Sequence, residues 1–304
     1  MESHVDSQEH GLTATLKIYI GEVGILARFW SQLQKALVAS YQDGCLGIAK
    51  GAAYSALLAF FPVITTIATI LVQANADAVS RVVARLLFDV IPPGTEDLVR
   101  DLFKVEGKQP VSLLVVAILL SGWAGSGFML SLMEGFRSIY RIPSGRSMVR
   151  ERLIAIGLVF VTALPVLGAS ALIVVGNRAR ASFIAWMGLA EHGSDLRGWV
   201  QLAGQAVTFL IAVTTIVMVT ALVFCIGPNR KQRIPQVLPG AILATLLWLL
   251  STLAFGWYVR DIGNYNVLYG SVGAGLALLV WSYLLAVIML FGCEFNAVRE
   301  KNRA

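Results

Sequence analysis

The stretch 198-GWVQLAGQAVTFLIAVTTIVMVTALVFCIGPNRKQRIPQ-236 decides the fold. From Gly198 to Ile226 no residue is charged. About 20 consecutive apolar residues suffice for an α-helix to cross the hydrocarbon of a bilayer. A short turn follows with Arg230, Lys231 and Arg233 and no acid, and at Pro235 a second uncharged run begins that reaches Val259. Proline suits the first turn of a helix, because the N–H it lacks has no helical partner there. The pair therefore predicts a helical hairpin across a membrane, with its basic turn on the cytoplasmic side.

Working outward, four further windows have the same character. They are Gly51 to Val72, Pro110 to Met133, Leu153 to Gly176, and Leu268 to Cys293, the last followed at once by Glu294. Barrel strands would alternate and be only about ten residues long, so they do not fit these runs. The reading is an all-α integral membrane protein with six transmembrane helices. Composition agrees. Of 304 residues, 57% are hydrophobic and 14% charged, against about a quarter charged in a soluble domain. The mean hydropathy is +0.73. That balance excludes a disordered chain, a collagen-like fibre and a disulfide scaffold.

The net charge of +6 is unevenly placed. Arg137, Arg141, Arg146, Arg150 and Arg152 follow the second window, and Arg299, Lys301 and Arg303 follow the sixth. With six spans, these groups and the 227–234 turn share one side, and the positive-inside rule predicts both termini in the cytoplasm. A basic excess of this kind points to anionic lipid rather than nucleic acid. Cys45, Cys225 and Cys293 lie on or near the same side, and their odd number and spacing suggest neither a bridge nor a metal motif.

The domain reading is a cytoplasmic N-terminal segment over 1–47, a six-span domain over 48–298 and a cytoplasmic tail over 299–304. Within the first, Leu12, Leu16, Tyr19, Ile20, Val23, Leu26, Ala27 and Trp30 recur at helical spacing. This amphipathic helix fits either an interfacial position or packing beneath the bundle. In the first external loop, Val79, Val82, Val83, Leu86 and Leu87 make a second such stripe. After Pro92-Pro93, Thr95 can cap a short helix with Leu98, Leu102 and Phe103 on its apolar face. These two helices fit a lid or collar, or a compact loop shielding helix ends.

No phosphate-binding loop and no hydrolase or metalloprotease motif occurs in the chain, so neither ATP-driven work nor catalysis is expected, and no cofactor or metal. Two sets of residues are candidates for function. At the cytoplasmic mouth, Glu134 and Arg137 stand at i, i+3, with Arg141 at i+7, and Glu294 ends the sixth span. These four are expected to receive an anionic headgroup, the acids orienting the arginines. In the first, second and sixth spans, Tyr54, Trp123, Ser126 and Tyr283 are expected to face a shared cavity. Pairing between helices and ordinary packing are the plainer roles for the same residues.

Several motifs resemble the YihY/BrkB family of bacterial inner-membrane proteins. They are Ala52-Ala53-Tyr54-Ser55-Ala56-Leu57-Leu58-Ala59-Phe60-Phe61-Pro62, Ile139-Tyr140, Pro228-Asn229, Pro239-Gly240-Ala241, Tyr265-Asn266, Tyr269-Gly270-Ser271, Trp281 and Gly292-Cys293-Glu294-Phe295-Asn296. Cys293 stands where the family usually has Ala. The resemblance spans roughly residues 35–298 and implies six helices with both termini inside. Its members have carried labels of ribonuclease BN, virulence factor and lipid or solute transporter. The expected function is a transporter or flippase, not driven by ATP, for an amphipathic anion such as a lipid. The alternative is a scaffold or regulatory protein binding lipid headgroups or partners. Ribonuclease activity is not expected, because no metal pair or acid–base set faces the cytoplasm. Reporter fusions after Val72, Met133, Gly176, Ile226 and Val259 should alternate in location, beginning outside, and an external signal from a fusion at Gly227 would overturn the topology.

Overall fold

The computed structural model describes residues 27–73, 111–143, 146–163, 165, 194–258 and 265–302. Every regular element among them is an α-helix. The described part of α1 covers 27–42; α2 is Cys45–Gln73, α3 is Val111–Tyr140, the described part of α4 covers 148–163, α5 is Ser194–Ile226, α6 is Ile234–Trp257 and α7 is Tyr265–Lys301. Five of these, α2, α3, α5, α6 and α7, are long and apolar enough to cross a membrane. They correspond to the first, second, fourth, fifth and sixth expected spans. The third expected span begins in α4, and most of its remainder lies outside the described residues, as do the two helices expected in the first external loop and the first part of the N-terminal stripe.

Two helices run past the ends of their apolar windows. α3 continues beyond Met133 to Tyr140, and α7 continues beyond Cys293 to Lys301. Glu134 and Arg137, expected on one helix face, are helical, and so are Glu294 and Asn296. The i→i−4 ladder does not need apolar side chains, so a helix ends where its backbone is broken rather than where hydropathy falls. At the end of α3 the Arg141 N–H donates to the Ser138 carbonyl and the Ile142 N–H to the Arg137 carbonyl. This is the Schellman closure, with Arg141 in the left-handed position at φ 52°.

α2 and α3 form the most extensive helix pair. A knot of hydroxyl groups joins them midway. Ser121 and Thr66 both donate to the Pro62 carbonyl, at 2.7 and 2.9 Å, and their oxygens lie 2.6 Å apart. α2 stays continuous through Pro62. α7 packs on α2, α3 and α6. It approaches α6 closely at Gly240 and Gly292. A Cβ on Gly292 would sit 2.7 Å from the Gly240 carbonyl oxygen and 2.8 Å from the Ala244 Cβ, so only glycine fits. One turn on, the Asn296 amide accepts from the Gly240 N–H at 2.8 Å and donates to the Val237 carbonyl at 2.9 Å. That amide bridges the backbone beside Pro239, where the helix lacks a donor.

The core gathers at the start of α2 and α6 and at the ends of α3, α5 and α7, which is one end of the bundle. Phe136 and Phe224 meet there edge to face, with ring centroids 5.5 Å apart. α1 lies against α7, burying Ala36 beside Phe295 and Val298. Trp30, Leu37 and Tyr41 stay exposed on one flank, and Arg28 and Lys35 on another.

Replacing Asn296 by Leu should strand the buried Gly240 N–H and Val237 carbonyl and cost about 1–3 kcal/mol. Gly292→Val should cost more, since backbone faces it across the contact. Unfolding of the purified protein in detergent reads both, and a neutral Asn296→Leu would show that the amide does not pin the helices.

Candidate functional site

At the basic end the motif residues Ile139, Tyr140 and Asn296 lie beside charged side chains. Arg137, on the last turn of α3, forms an ion pair with Glu151 of α4, and both side chains are largely buried. Glu134, expected to pair with Arg137, is exposed and takes part in no ion pair among the described residues. Arg137 prefers Glu151 because α4 runs back along α3 and sets a carboxylate against it, while Glu134 turns outward one turn below. Arg146, between α3 and α4, is held below the usual guanidinium range by partial burial; Glu151 opposes the shift, and Arg150 and Arg137 reinforce it. Arginine stays protonated nonetheless.

Arg141 is placed differently. Its side chain is 78% exposed, with Asp43 of the α1–α2 turn as a loose partner at 4.0 Å. It opens onto a cavity of about 270 Å³ shared with Ile139, Tyr140, Arg230, Ala297, Glu300 and Lys301. Arg230, from the α5–α6 turn, makes a two-pronged pair with Glu300 and lies 5.2 Å from the centre of the Tyr140 ring. On the other side of Tyr140 and Glu300 a second cavity of about 270 Å³ is lined by Gln232, Gln236, Val237, Asn296 and Arg299.

Glu294 does not orient these arginines. It is 0% exposed, and neither carboxylate oxygen has a hydrogen-bond partner among the described residues. Of the four residues expected at the mouth, the structure brings only Arg141 to a cavity. The rest of that cavity, Tyr140, Arg230, Glu300 and Lys301, comes from three separate elements. The sequence marked Arg230 and Lys301 only as orienting charges, and Tyr140 only as part of a family motif.

The inner set also divides. Ser126 is fully buried and donates to the Trp123 carbonyl at 2.6 Å. Tyr283 is half-buried against the core. Tyr54 and Trp123 are 59% and 60% exposed, and neither lines a cavity described above. The Arg152 guanidinium covers the Trp123 ring at 4.1 Å and donates to its carbonyl at 3.1 Å. The expected shared cavity is thus not formed by these four among the described residues. Helix rotation decides which face turns inward, and in a span apolar all round the sequence carries little signal for it. The bundle instead holds an apolar cavity of about 240 Å³ between α3, α4, α5, α6 and α7, bordered by Phe128, Thr220, Thr245, Trp248 and Met289 among others.

The family model described as Virulence factor BrkB matches residues 36–304. The chain belongs to the BrkB family. Relatives include the ribonuclease-like protein YfkH of Bacillus subtilis, 27% identical over 63% of this chain and 67% of that protein. UPF0761 membrane proteins also match. That of Alkalilimnicola ehrlichii is 26% identical over 84% of this chain and 55% of its own length. That of Actinobacillus pleuropneumoniae is 25% identical over 79% and 82%. The chain spans little more than half the length of the Alkalilimnicola relative. No solved structure matches. This BrkB-family chain is a membrane protein.

In a double-mutant cycle, Arg137→Ala and Glu151→Ala should show a coupling of about 1 kcal/mol, near the top of the range for ion pairs that reach solvent. Arg137→Ala with Glu134→Ala should be additive. Coupling to Glu134 instead would overturn the assigned pair.

Proposed function

We propose that this protein moves an amphipathic anion, such as a lipid, across the bacterial inner membrane without ATP hydrolysis, receiving the anionic headgroup at a basic cytoplasmic end. The observation that carries this reading is Arg141. A left-handed backbone costs a residue with a side chain about 1 kcal/mol, and glycine usually occupies that position after a helix. Here an arginine holds it, loosely partnered, over a cavity it shares with Arg230 and Lys301. Arginine's planar fork donates two hydrogen bonds to one phosphate. The apolar cavity within the bundle is suited to the other half of such a molecule.

Membrane lipids are the expected partners. Arg137, spent on Glu151, is not assigned to the headgroup. The orientation with both termini cytoplasmic, and with it the side on which the headgroup is received, rests on the distribution of Lys and Arg. The ribonuclease-like name of YfkH is not carried over, since the sequence supplies no acid–base set for phosphodiester cleavage. A lipid-binding scaffold is the second reading. The exposed Trp30, Leu37 and Tyr41 flank of α1, with Arg28 and Lys35 on its other exposed flank, favours it, being suited to an anionic membrane surface.

Arg141→Gly separates structural from functional roles. It should raise stability in detergent by about 1 kcal/mol, because the backbone strain goes. It should also weaken binding of a fluorescent phosphatidylglycerol roughly tenfold or more, as expected for one lost charge-assisted contact. In proteoliposomes it should slow movement of that lipid between leaflets. Wild-type lipid movement by Arg141→Gly would overturn the headgroup site. Binding without any movement in the wild type would favour the scaffold.

A further inference from the structure

Glu294 is left without a task by the headgroup site. It sits on α7 within a candidate span, 0% exposed, with both carboxylate oxygens unpartnered among the described residues. None of the ion pairs among the described residues includes it. The groups whose charges bear on it are Asp43 from the α1–α2 turn, Lys301 two turns along its own helix and Arg141 from the end of α3. Its own charge in turn bears on two thiols, Cys45 of α2 and Cys293 beside it. α6 has no charged residue, and the charges of α5 are Asp195 and Arg197 at the opposite end. α1 meets α7 through Ala36. Lys50 of α2 is exposed, and Arg137 of α3 is paired with Glu151.

A carboxylate ion in such a place has lost water and gained no hydrogen-bond donor or ion-pair partner among the described residues. That is tolerated for the neutral acid far better than for the ion. We infer that Glu294 is a proton-binding site, closed in this conformation with its proton on, and emptied when the contact between the α1–α2 turn and the end of α3 opens. The release step breaks the carboxyl O–H bond, leaves the electron pair on Glu294 and passes the proton to water at the basic end. The route is suggested by the contact itself. Asp43 and Arg141 are 4.0 Å apart, and Arg141 already reaches the open cavity. If the protein carries an anion, this proton supplies a driving force. The proton site itself does not rest on that reading, since it can be measured with no lipid substrate present.

The test is infrared spectroscopy of the full chain in phosphatidylcholine nanodiscs. At about pH 6, exposed carboxyls, with ordinary values near 4, are ionised. The wild type should still show a protonated carboxyl C=O band, which alkaline buffer removes. Glu294→Gln should lose that band, and Glu134→Gln, altering an exposed acid, should keep it. Absence of the band in the wild type, or its survival in Glu294→Gln, overturns the proposal. Should Glu294→Gln fail to fold, Glu294→Asp provides the second reading: the band should move in position, and an unmoved band overturns the assignment. Loss of lipid movement in Arg141→Gly with an intact band would leave the proton site standing, and the reverse would leave the headgroup site standing.

Discussion

The contact between Gly240 of α6 and Gly292 of α7 constrains the arrangement around it. In lipid, apolar side chains gain nothing by leaving the solvent, so helices associate through close packing and hydrogen bonds. Two glycines let the backbones approach where any Cβ would collide. The approach brings the Asn296 amide to the Gly240 N–H and the Val237 carbonyl. Buried groups of this kind cost free energy when left unpaired. With α6 and α7 fixed this way, the ends of α5 and α3 close on them through Phe224 and Phe136.

The same contact lies between two unlike environments. Toward the basic end, α6 and α7 line a cavity with Gln236, Asn296, Arg299 and Glu300. Deeper, they line the apolar cavity with Thr245, Trp248, Ile288 and Met289. The polar side chains are crowded into the last turns of α3 and α7 and the turns between helices, and the Schellman closure at Arg141 aims one cation outward while Arg137 is tied inward to Glu151. Local backbone geometry thus sorts two arginines of one helix end into different roles.

Much of this was legible in the chain. Uncharged windows located five of the helices that the structure shows long enough to span, because hydropathy over about 20 residues answers to bilayer thickness. Family motifs marked Gly240, Gly292, Tyr140 and Asn296 without saying what they do. The pairing of Arg137 was misread. Spacing along one helix named Glu134, but Glu151 is supplied by another helix. Tyr54 and Trp123 were read as inward-facing, whereas the structure leaves both on the outside of the bundle.

The sequence by itself determined the class of protein, the position of most membrane helices and the concentration of charge at their ends. These follow from local quantities: run length, charge count and helix period. Only the tertiary structure decided which glycines touch, which acid meets Arg137, that Arg141, Arg230 and Lys301 share a cavity, and that Glu294 is sealed off. Each depends on helix rotation and crossing, and a helix apolar on every side does not record in its own sequence which face its neighbours will cover.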